Sequence, residues 1–551
     1  MIHTRMTLAE AFQHVAAQHP DREALVCGET RLTYGQLAQR ITSLAHGLTE
    51  LGIAQGDRVA LLLRNCPEFI ISFFALAEMG AVSVLLNPQL RRRQLDHILR
   101  ECEPVAVVTS ATPGMAEAVQ TVRDVQRELP VLRYIIFTEG GAETERRLEE
   151  LMASTVPASY SPPPVTSDTL ATLLYTSGTT GMPKGAMHTH RGLIAPVVAS
   201  LKLREMWIKR PSLQTATRMA KVLARYGPRL LKAAGRQQVF LSPVGLYAIA
   251  GVEVMLQALL MGDKLVLMPR FHPIELLQLV EKERVTILVA VPMALSVLMR
   301  LKDLDHYDTS SLLICGTGSA PCPPELAREV RRRLGCAMHI GFGTTELAGG
   351  IAATSLEDSD ERQTETVGRP LPGMEIKIVD DQGRELPPGE VGELLCRSES
   401  VMLGYYRAPE ATAEVVNDEG WYHTGDLAVM DEQGYLRIVG RKKDLIIRGG
   451  QNIYPAEIEG YLQSHEKIKE AAVVGVPAAV GGEAVWAFII LEEDAEMTAE
   501  EVLEYCRAGL EAYKIPNQVR FVPDFPRSAM GKPQKFKLRE MAGSSTGNRG
   551  R

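Results

Sequence analysis

Leu170-Ala171-Thr172-Leu173-Leu174-Tyr175-Thr176-Ser177-Gly178-Thr179-Thr180-Gly181-Met182-Pro183-Lys184-Gly185 sets an apolar run against a loop rich in glycine and hydroxyls and closed by one lysine. The run 170–175 reads as a buried strand and 188–201 as a helix, so the loop joins two ordered elements. Gly178, Gly181 and Gly185 let the backbone fold tightly and turn N–H groups toward an anion. Thr176, Ser177, Thr179 and Thr180 add hydroxyl donors, and Lys184 adds charge, the equipment for holding phosphates. A Walker A loop needs Gly-Lys-Ser/Thr at its end; here proline precedes the lysine and glycine follows it. A Gly/Ser/Thr surface linker has the same composition, but the ordered flanks and the closing lysine favour a phosphate loop.

Outward from the loop, strand-like runs at 59–63, 82–86, 105–109 and 134–137 precede it, and runs at 239–242, 264–268, 286–291, 312–315 and 338–341 follow it. Helical patterns lie between many of them, which predicts α/β architecture with parallel sheets covered by helices. The stretch 69–86 imitates a membrane span, but Glu78 and Gly80 divide it into a helix, 67–79, and a strand, 81–86. With 58–63 these make a strand–helix–strand unit. A proline-rich stretch, 156–164, ends the first block. From 366 to 440 short strands with Gly and Asp turns predict a small antiparallel β unit, and after 443 a small α+β domain with its own core follows.

The chain has 551 residues, too many for one core, with 45% hydrophobic and 23% charged residues as in soluble globular proteins. A net charge of −7 supplies no basic field for nucleic acid. The eight cysteines are scattered without a CxxC pair, which argues against a zinc site or a disulfide framework. Neither end carries an apolar signal core or a recognisable address, so the cytoplasm is the expected compartment.

Four further clusters carry chemistry. Gly341-Phe342-Gly343-Thr344-Thr345-Glu346 closes a strand with a glycine turn, hydroxyls and a carboxylate, groups suited to a nucleotide and magnesium. Tyr422-His423-Thr424-Gly425-Asp426 sets a carboxylate at a turn, where it could bond ribose hydroxyls or merely cap the turn. The run 440–455 (Gly-Arg-Lys-Lys-Asp-Leu-Ile-Ile-Arg-Gly-Gly-Gln-Asn-Ile-Tyr-Pro) packs five charges and a glycine pair where the domain composition changes. Pro526-Arg527-Ser528-Ala529-Met530-Gly531-Lys532 puts one lysine on a short turn near the end of the chain.

In this order and spacing the five clusters resemble the adenylate-forming superfamily: acyl-CoA synthetases, nonribosomal-peptide adenylation domains and beetle luciferases. The resemblance runs over about 8–541. It implies a carboxylate attacking the α-phosphorus of MgATP, then a thiol displacing AMP. Carried over by motif, Thr176, Ser177, Gly178, Thr179, Thr180, Gly181 and Lys184 would hold the β- and γ-phosphates. Ser319, Ala320, Pro321, Gly341, Phe342 and Gly343 would line the adenine, with Thr344 also at the nucleotide and Thr345 at the α-phosphate. Glu346, with Thr176, would hold magnesium, Asp426 and Arg441 would hold the ribose, and Lys532 would catalyse the first step. A mobile C-terminal domain, 443–541, would turn about a hinge at Lys443 on the N-terminal domain, 1–442, and bring Arg448, Gly449 and Gly450 to the thiol tunnel. The tail, 542–551, is expected to be disordered.

Two departures from the family pattern stand out. Relatives carry Pro-x-x-His-x-x-Gly at the acyl pocket, whereas this chain reads Pro243 to Gly251 without histidine. Tyr247, Ala248, Gly251 and Gly316 are the acyl-pocket residues the resemblance implies, with Ala248 at the histidine position. No acid occurs from Phe240 to Gly251, which disfavours an α-amino acid because its ammonium would be buried unpaired. An alkyl or aryl acid, fatty or related, is expected, with CoA as acceptor.

The second departure is an insertion, 203–236, that carries nine basic residues against one glutamate. Arg218, Lys221 and Arg225 share a helical face, with Met219, Val222, Leu223 and Tyr226 on an apolar stripe. Such a helix suits an anionic membrane, an acidic carrier protein, a cover for the acyl pocket or plain packing. Loading of a carrier protein, a luciferase-like oxygenase and an inactive scaffold are the alternative functions. A homodimer is one expectation for the oligomeric state.

Overall fold

Apolar runs that read as strands pair where their β-branched residues are buried on both faces. The computed structural model describes residues 2–141, 145–176, 182–208, 213–233, 235–448, 451–478, 482–527 and 532–546. The chain divides into two units, Met1–Glu375 with Cys396–Tyr422, and Ile376–Leu395 with His423–Arg551.

The first unit holds two large sheets. In one the order is Gly404–Tyr405, Lys184–Thr189, Leu170–Thr176, Val82–Leu85, Arg58–Leu62, Ala106–Thr109, Tyr134–Phe137 and Arg146–Arg147. In the other, Ala337–Thr344, Ile314–Thr317, Ile287–Val289, Val239–Ser242, Lys264–Leu267 and Glu23–Cys27 run parallel, with antiparallel strands added at each edge. Helices Leu8–Gln18, Tyr34–Glu50, Pro67–Glu78 and Ile249–Leu260 contribute, with residues of both sheets, to one buried core. Thr7 and Thr33 start two of them with capping boxes that satisfy the first free N–H groups. The span-like run 69–86 resolves into the helix Pro67–Glu78 and the strand Val82–Leu85, and among the described residues no helix is long and apolar enough to cross a membrane.

Two sequence expectations need correction. The phosphate loop leads not into a helix but into a strand, Lys184–Thr189, which folds back on Leu170–Thr176 with Thr176 opposite Lys184; the helix begins at His190 and runs to Ile208. The antiparallel ladder satisfies the backbone of a segment whose side chains carry no apolar run. The tail is helical as far as Thr546, because Leu538 and Ala542 are fully buried and hold that helix against the strands of its unit.

In the second unit, Glu375–Val379, Val391–Arg397, Tyr422–Met430 and Leu436–Arg441 form the expected small antiparallel sheet. A three-stranded sheet, Ile468–Pro477, Glu483–Leu491 and Gln518–Phe521, packs with the helices Pro455–Gln463, Ala499–Gly509 and Lys535–Thr546 around its own core. The eight cysteines are free thiols.

Candidate active site

The short segment after Ser400 draws the phosphate loop and the Glu346 turn of the first unit together. Met402 N–H donates to the Glu346 carbonyl at 2.8 Å, Leu403 N–H to Met187 at 2.9 Å and Tyr406 N–H to Gly185 at 2.8 Å. Tyr405, paired with Ala186, is thereby buried between them. Its hydroxyl donates to Glu346 Oε1 at 2.8 Å, and Lys184 Nζ stands 5.3 Å from its ring centroid. One ring thus carries the cation of the phosphate loop and orients the carboxylate of the following cluster. Residues 177–181 lie outside the described residues, while Thr176 ends its strand beside the Lys184 carbonyl at 3.5 Å.

The strand Ala337–Thr344 delivers Gly341, Phe342, Gly343 and Thr344, and a 3-10 turn, Thr345–Leu347, follows. Gly343 has no alternative residue, since a Cβ there would sit 2.1 Å from the Gly349 carbonyl. The neighbouring parallel strand ends at Thr317, and Ser319 holds a left-handed φ of 65°, a strained conformation that binding sites often keep. Ser319, Ala320 and Pro321 therefore lie on the loop beside Gly341. The buried hydroxyls of Thr317 and Thr344 have no hydrogen-bond partner among the described residues, as expected where a polar ligand completes the site.

Behind this turn the ring of His188 is 1% exposed, and its nearest polar neighbour is the backbone of Thr345. Burial pushes its pKa down to about 4, and that of His190, whose Nδ1 accepts from Leu8 N–H at 3.2 Å, equally to about 4. Both rings are neutral struts. Of the residues expected at the acyl pocket, Ala248 caps the helix Ile249–Leu260 and Gly251 closes the turn onto Gly245. Buried Asn65 fixes that loop: it donates to the Val244 carbonyl at 2.9 Å and accepts from Leu246 N–H at 2.8 Å. Tyr247 is partly buried against the core, and Gly316 sits in the strand Ile314–Thr317.

In the second unit Asp426 and Arg441 face each other across two paired strands, with Arg441 Nε 2.6 Å from Asp426 Oδ1. Asp426 N–H donates to Thr424 Oγ1 at 3.0 Å, which fixes the backbone that carries the carboxylate. Lys443 lies in the turn Lys442–Asp444, and desolvation lowers its pKa against the opposing pull of Asp444. Arg448 is fixed by the carbonyls of Tyr513 and Ile515 at 3.1 and 2.9 Å; Gly449 and Gly450 lie outside the described residues. Lys532 is exposed on a loop whose base is pinned by the Arg527–Pro533 bridge and by Arg527 to Glu470 at 2.8 Å.

The insertion forms helices Leu213–Tyr226 and Arg229–Ala233. Three of its arginines are engaged within the chain: Arg218 pairs with Glu357 at 3.3 Å, Arg225 with Asp360 at 3.5 Å, and Arg229 donates to the Leu312 carbonyl at 3.3 Å, while Lys221 of the same face is exposed. Val222 is buried, but Leu223 of the expected apolar stripe is exposed. The side chain of Met219 lies outside the described residues.

Sequence reading missed Tyr405, Thr317 and Asn65. A tyrosine pair at 405–406 was the one signal available, and nothing near it spoke of phosphate.

Known proteins give the same picture. The AMP-binding enzyme family matches residues 12–406, and the C-terminal domain of AMP-binding enzymes matches 457–532. The acyl-CoA synthetase named YngI of Bacillus subtilis is 34% identical over 98% of this chain and 97% of its own. The long-chain-fatty-acid CoA ligase of Salmonella typhimurium is 32% identical over 98% and 96%. Among solved structures, the anthranilate CoA ligase AuaEII in complex with anthranoyl-AMP superposes with a TM-score of 0.84 at 25% identity, covering 98% of this chain and 99% of that one.

Proposed function

On the premise that the chain belongs to the AMP-binding enzyme family and is an AMP-forming acid–CoA ligase, we propose that it adenylates a fatty or related apolar carboxylic acid and passes the acyl group to CoA. The observation that carries this reading is the joining of Lys184 and Glu346 through Tyr405. A triphosphate laid along that line has a cation at its β- and γ-phosphates and a carboxylate beside the α-phosphorus.

The chemistry is displacement at phosphorus between two anions, so positioning and charge do most of the catalysis. Lys184 and the loop before it hold the departing pyrophosphate. Thr345 and Thr344 face the α-phosphate, and Ser319, Ala320, Pro321, Gly341, Phe342 and Gly343 take the adenine. Glu346 with the hydroxyl of Thr176 is an all-oxygen donor set that suits magnesium, which when bound would neutralise phosphate charge.

Asp426 and Arg441 hold the ribose hydroxyls, and Lys532 bridges the attacking carboxylate and the α-phosphoryl oxygens, where one preorganised charge is worth about 10²–10³ in rate. A turn about Lys443 then removes Lys532 and admits the thiol past Arg448, Gly449 and Gly450. CoA is the proposed acceptor; Arg218, Arg225 and Arg229 of the insertion are engaged within the chain, while Lys221 is exposed. The cytoplasm is the proposed compartment.

Pyrophosphate exchange over a panel of alkyl, aryl and amino acids, repeated with CoA and AMP release followed, tests this. The reading requires exchange with at least one apolar acid and AMP and thioester in equal amounts. No exchange with any acid overturns it.

A further inference from the structure

Glu253 is the sole charged residue of the helix Ile249–Leu260, and its neighbours Val252, Val254, Met255 and Leu256 are buried. The residue is only partly exposed, and no cation lies against its carboxyl among the described residues. Asp263 and Glu283, two other enclosed acids of this unit, each meet an arginine at 2.7 Å. Glu253 forms no ion pair among the described residues; Gln257 Nε2 donates to its Oε1 at 3.2 Å, and the Gly350 backbone N–H lies against it. Burial, the dominant influence, raises its pKa to about 7.

The strand it points toward, Gly349–Ala353, leaves the Thr345–Leu347 turn directly. Two glycines open that strand, and both give way to Glu253. A Cβ at Gly349, where φ is 122°, would stand 2.5 Å from Oε2. One at Gly350 would stand 3.2 Å from Oε1 and 2.9 Å from Leu371. Gly350 and Leu371 also line a cavity of about 370 Å³ walled by apolar Ala195, Pro196 and Val198 and by charged Lys202, Glu205 and Glu399. Gly350 is thus one wall of that space, and the Glu253 carboxyl stands against the same glycine. Gly349 is three residue steps from Glu346, a span of at most about 10 Å, the reach of a small carboxylic acid.

We propose that Glu253 selects acids carrying a hydrogen-bond donor, an amine or a hydroxyl, at the end remote from the carboxyl that is activated. This rests on the acid-adenylating reading above and narrows its substrate class. It also amends the sequence reading of the acyl site, which found no acid as far as Gly251; the acid stands two residues further on, where the helix turns it inward. A plain alkyl end leaves the carboxyl with only the Gln257 amide and the Gly350 N–H as donors, whereas a donor-bearing end supplies one more. A site built around a polar group rejects the analogue that lacks it more strongly than an apolar pocket rejects an extra methylene.

The test is pyrophosphate exchange with hexanoate, 6-hydroxyhexanoate and 6-aminohexanoate, on the full chain and on Glu253→Gln and Glu253→Leu, with thermal melting of each. The wild type should prefer a donor-bearing acid by about tenfold or more in kcat/KM. Glu253→Gln should lose the preference for the amine and keep that for the hydroxyl, and Glu253→Leu should turn the ranking toward hexanoate. The two polar arms identify which donor the site takes. Should Glu253→Leu fail to fold, the Gln variant decides alone. A wild type that prefers hexanoate, or a Gln variant whose three ratios equal those of the wild type, overturns the inference and leaves adenylation standing. If no acid of this set or of the wider panel supports exchange, the parent reading falls, and this one with it.

Discussion

Tyr405→Phe removes one hydroxyl and leaves the ring, so it isolates the bond to Glu346. That bond is 2.8 Å long, buried, and made to a carboxylate. Hydrogen bonds to charged groups contribute about 1.5–3 kcal/mol. If Glu346 must hold its angle as charge develops on the α-phosphoryl group, the whole of that energy is lost from the transition state. At about 1.36 kcal/mol per decade, exchange should slow by about 10- to 100-fold. The Lys184 contact with the ring, at 5.3 Å, survives in the Phe variant. Tyr405→Leu removes it too, and with a cation–π contribution of about 0.5–2 kcal/mol should slow exchange by roughly a further 2- to 30-fold. The assay is pyrophosphate exchange at saturating acid with ATP and magnesium titrated separately; the Phe variant should also need more magnesium. An exchange rate within about twofold of wild type, with unchanged metal dependence, would refute the coupling of Tyr405 to Glu346.

Asn65→Ala strips three bonds, to Val244, Met268 and Leu246, from the loop before the helix Ile249–Leu260. It should lower stability by about 2–4 kcal/mol and raise KM for the acid, seen by melting and by acid titration. His188 is neutral and buried with a pKa near 4, so the stability it supports is fully present above about 6.5 and is lost as pH falls through about 4. The gap between wild type and His188→Asn should therefore shrink by roughly 3 kcal/mol from pH 7 to pH 4 in denaturant titrations, and a constant gap would rule this out. Glu253 has the opposite slope: what it contributes is present below about 4.5 and lost as pH rises through about 7. Lys532→Ala should lose adenylation yet still convert a supplied acyl-adenylate to thioester, and equal loss of both half-reactions would refute the hinge proposal.

Much of this was written in local sequence. The buried parallel strands were legible because continuous apolar runs of four or five residues between turn signals have few other fates. The pairing of Asp426 with Arg441 is a register consequence of two short strands joined by a tight turn, and both residues stood out as motifs. What escaped was long-range. Tyr405 reaches Glu346 across 59 residues, and Asn65 reaches Leu246 across 181, distances over which no periodicity speaks. The strand Lys184–Thr189 escaped because Lys-Gly-Ala-Met-His-Thr has neither alternation nor an apolar run and forms only because Leu170–Thr176 offers a free edge. Residues 543–546 are poor helix formers on their own, and burial of Leu538 and Ala542 outweighs that local preference. Glu253 was passed over because one carboxylate in an apolar helix usually marks a solvated face; here that face meets two glycines.

Attack of the acid's own carboxylate on the α-phosphorus is the centre of the account. It is tested most directly with a substrate acid labelled with heavy oxygen in both carboxylate positions and turned over in the presence of ATP and CoA. Mass spectrometry of the nucleotide product should find AMP carrying one heavy oxygen, with none in pyrophosphate. Unlabelled AMP, or label appearing in inorganic phosphate alongside ADP, would contradict an acyl-adenylate and with it the roles given to Lys184, Glu346 and Lys532.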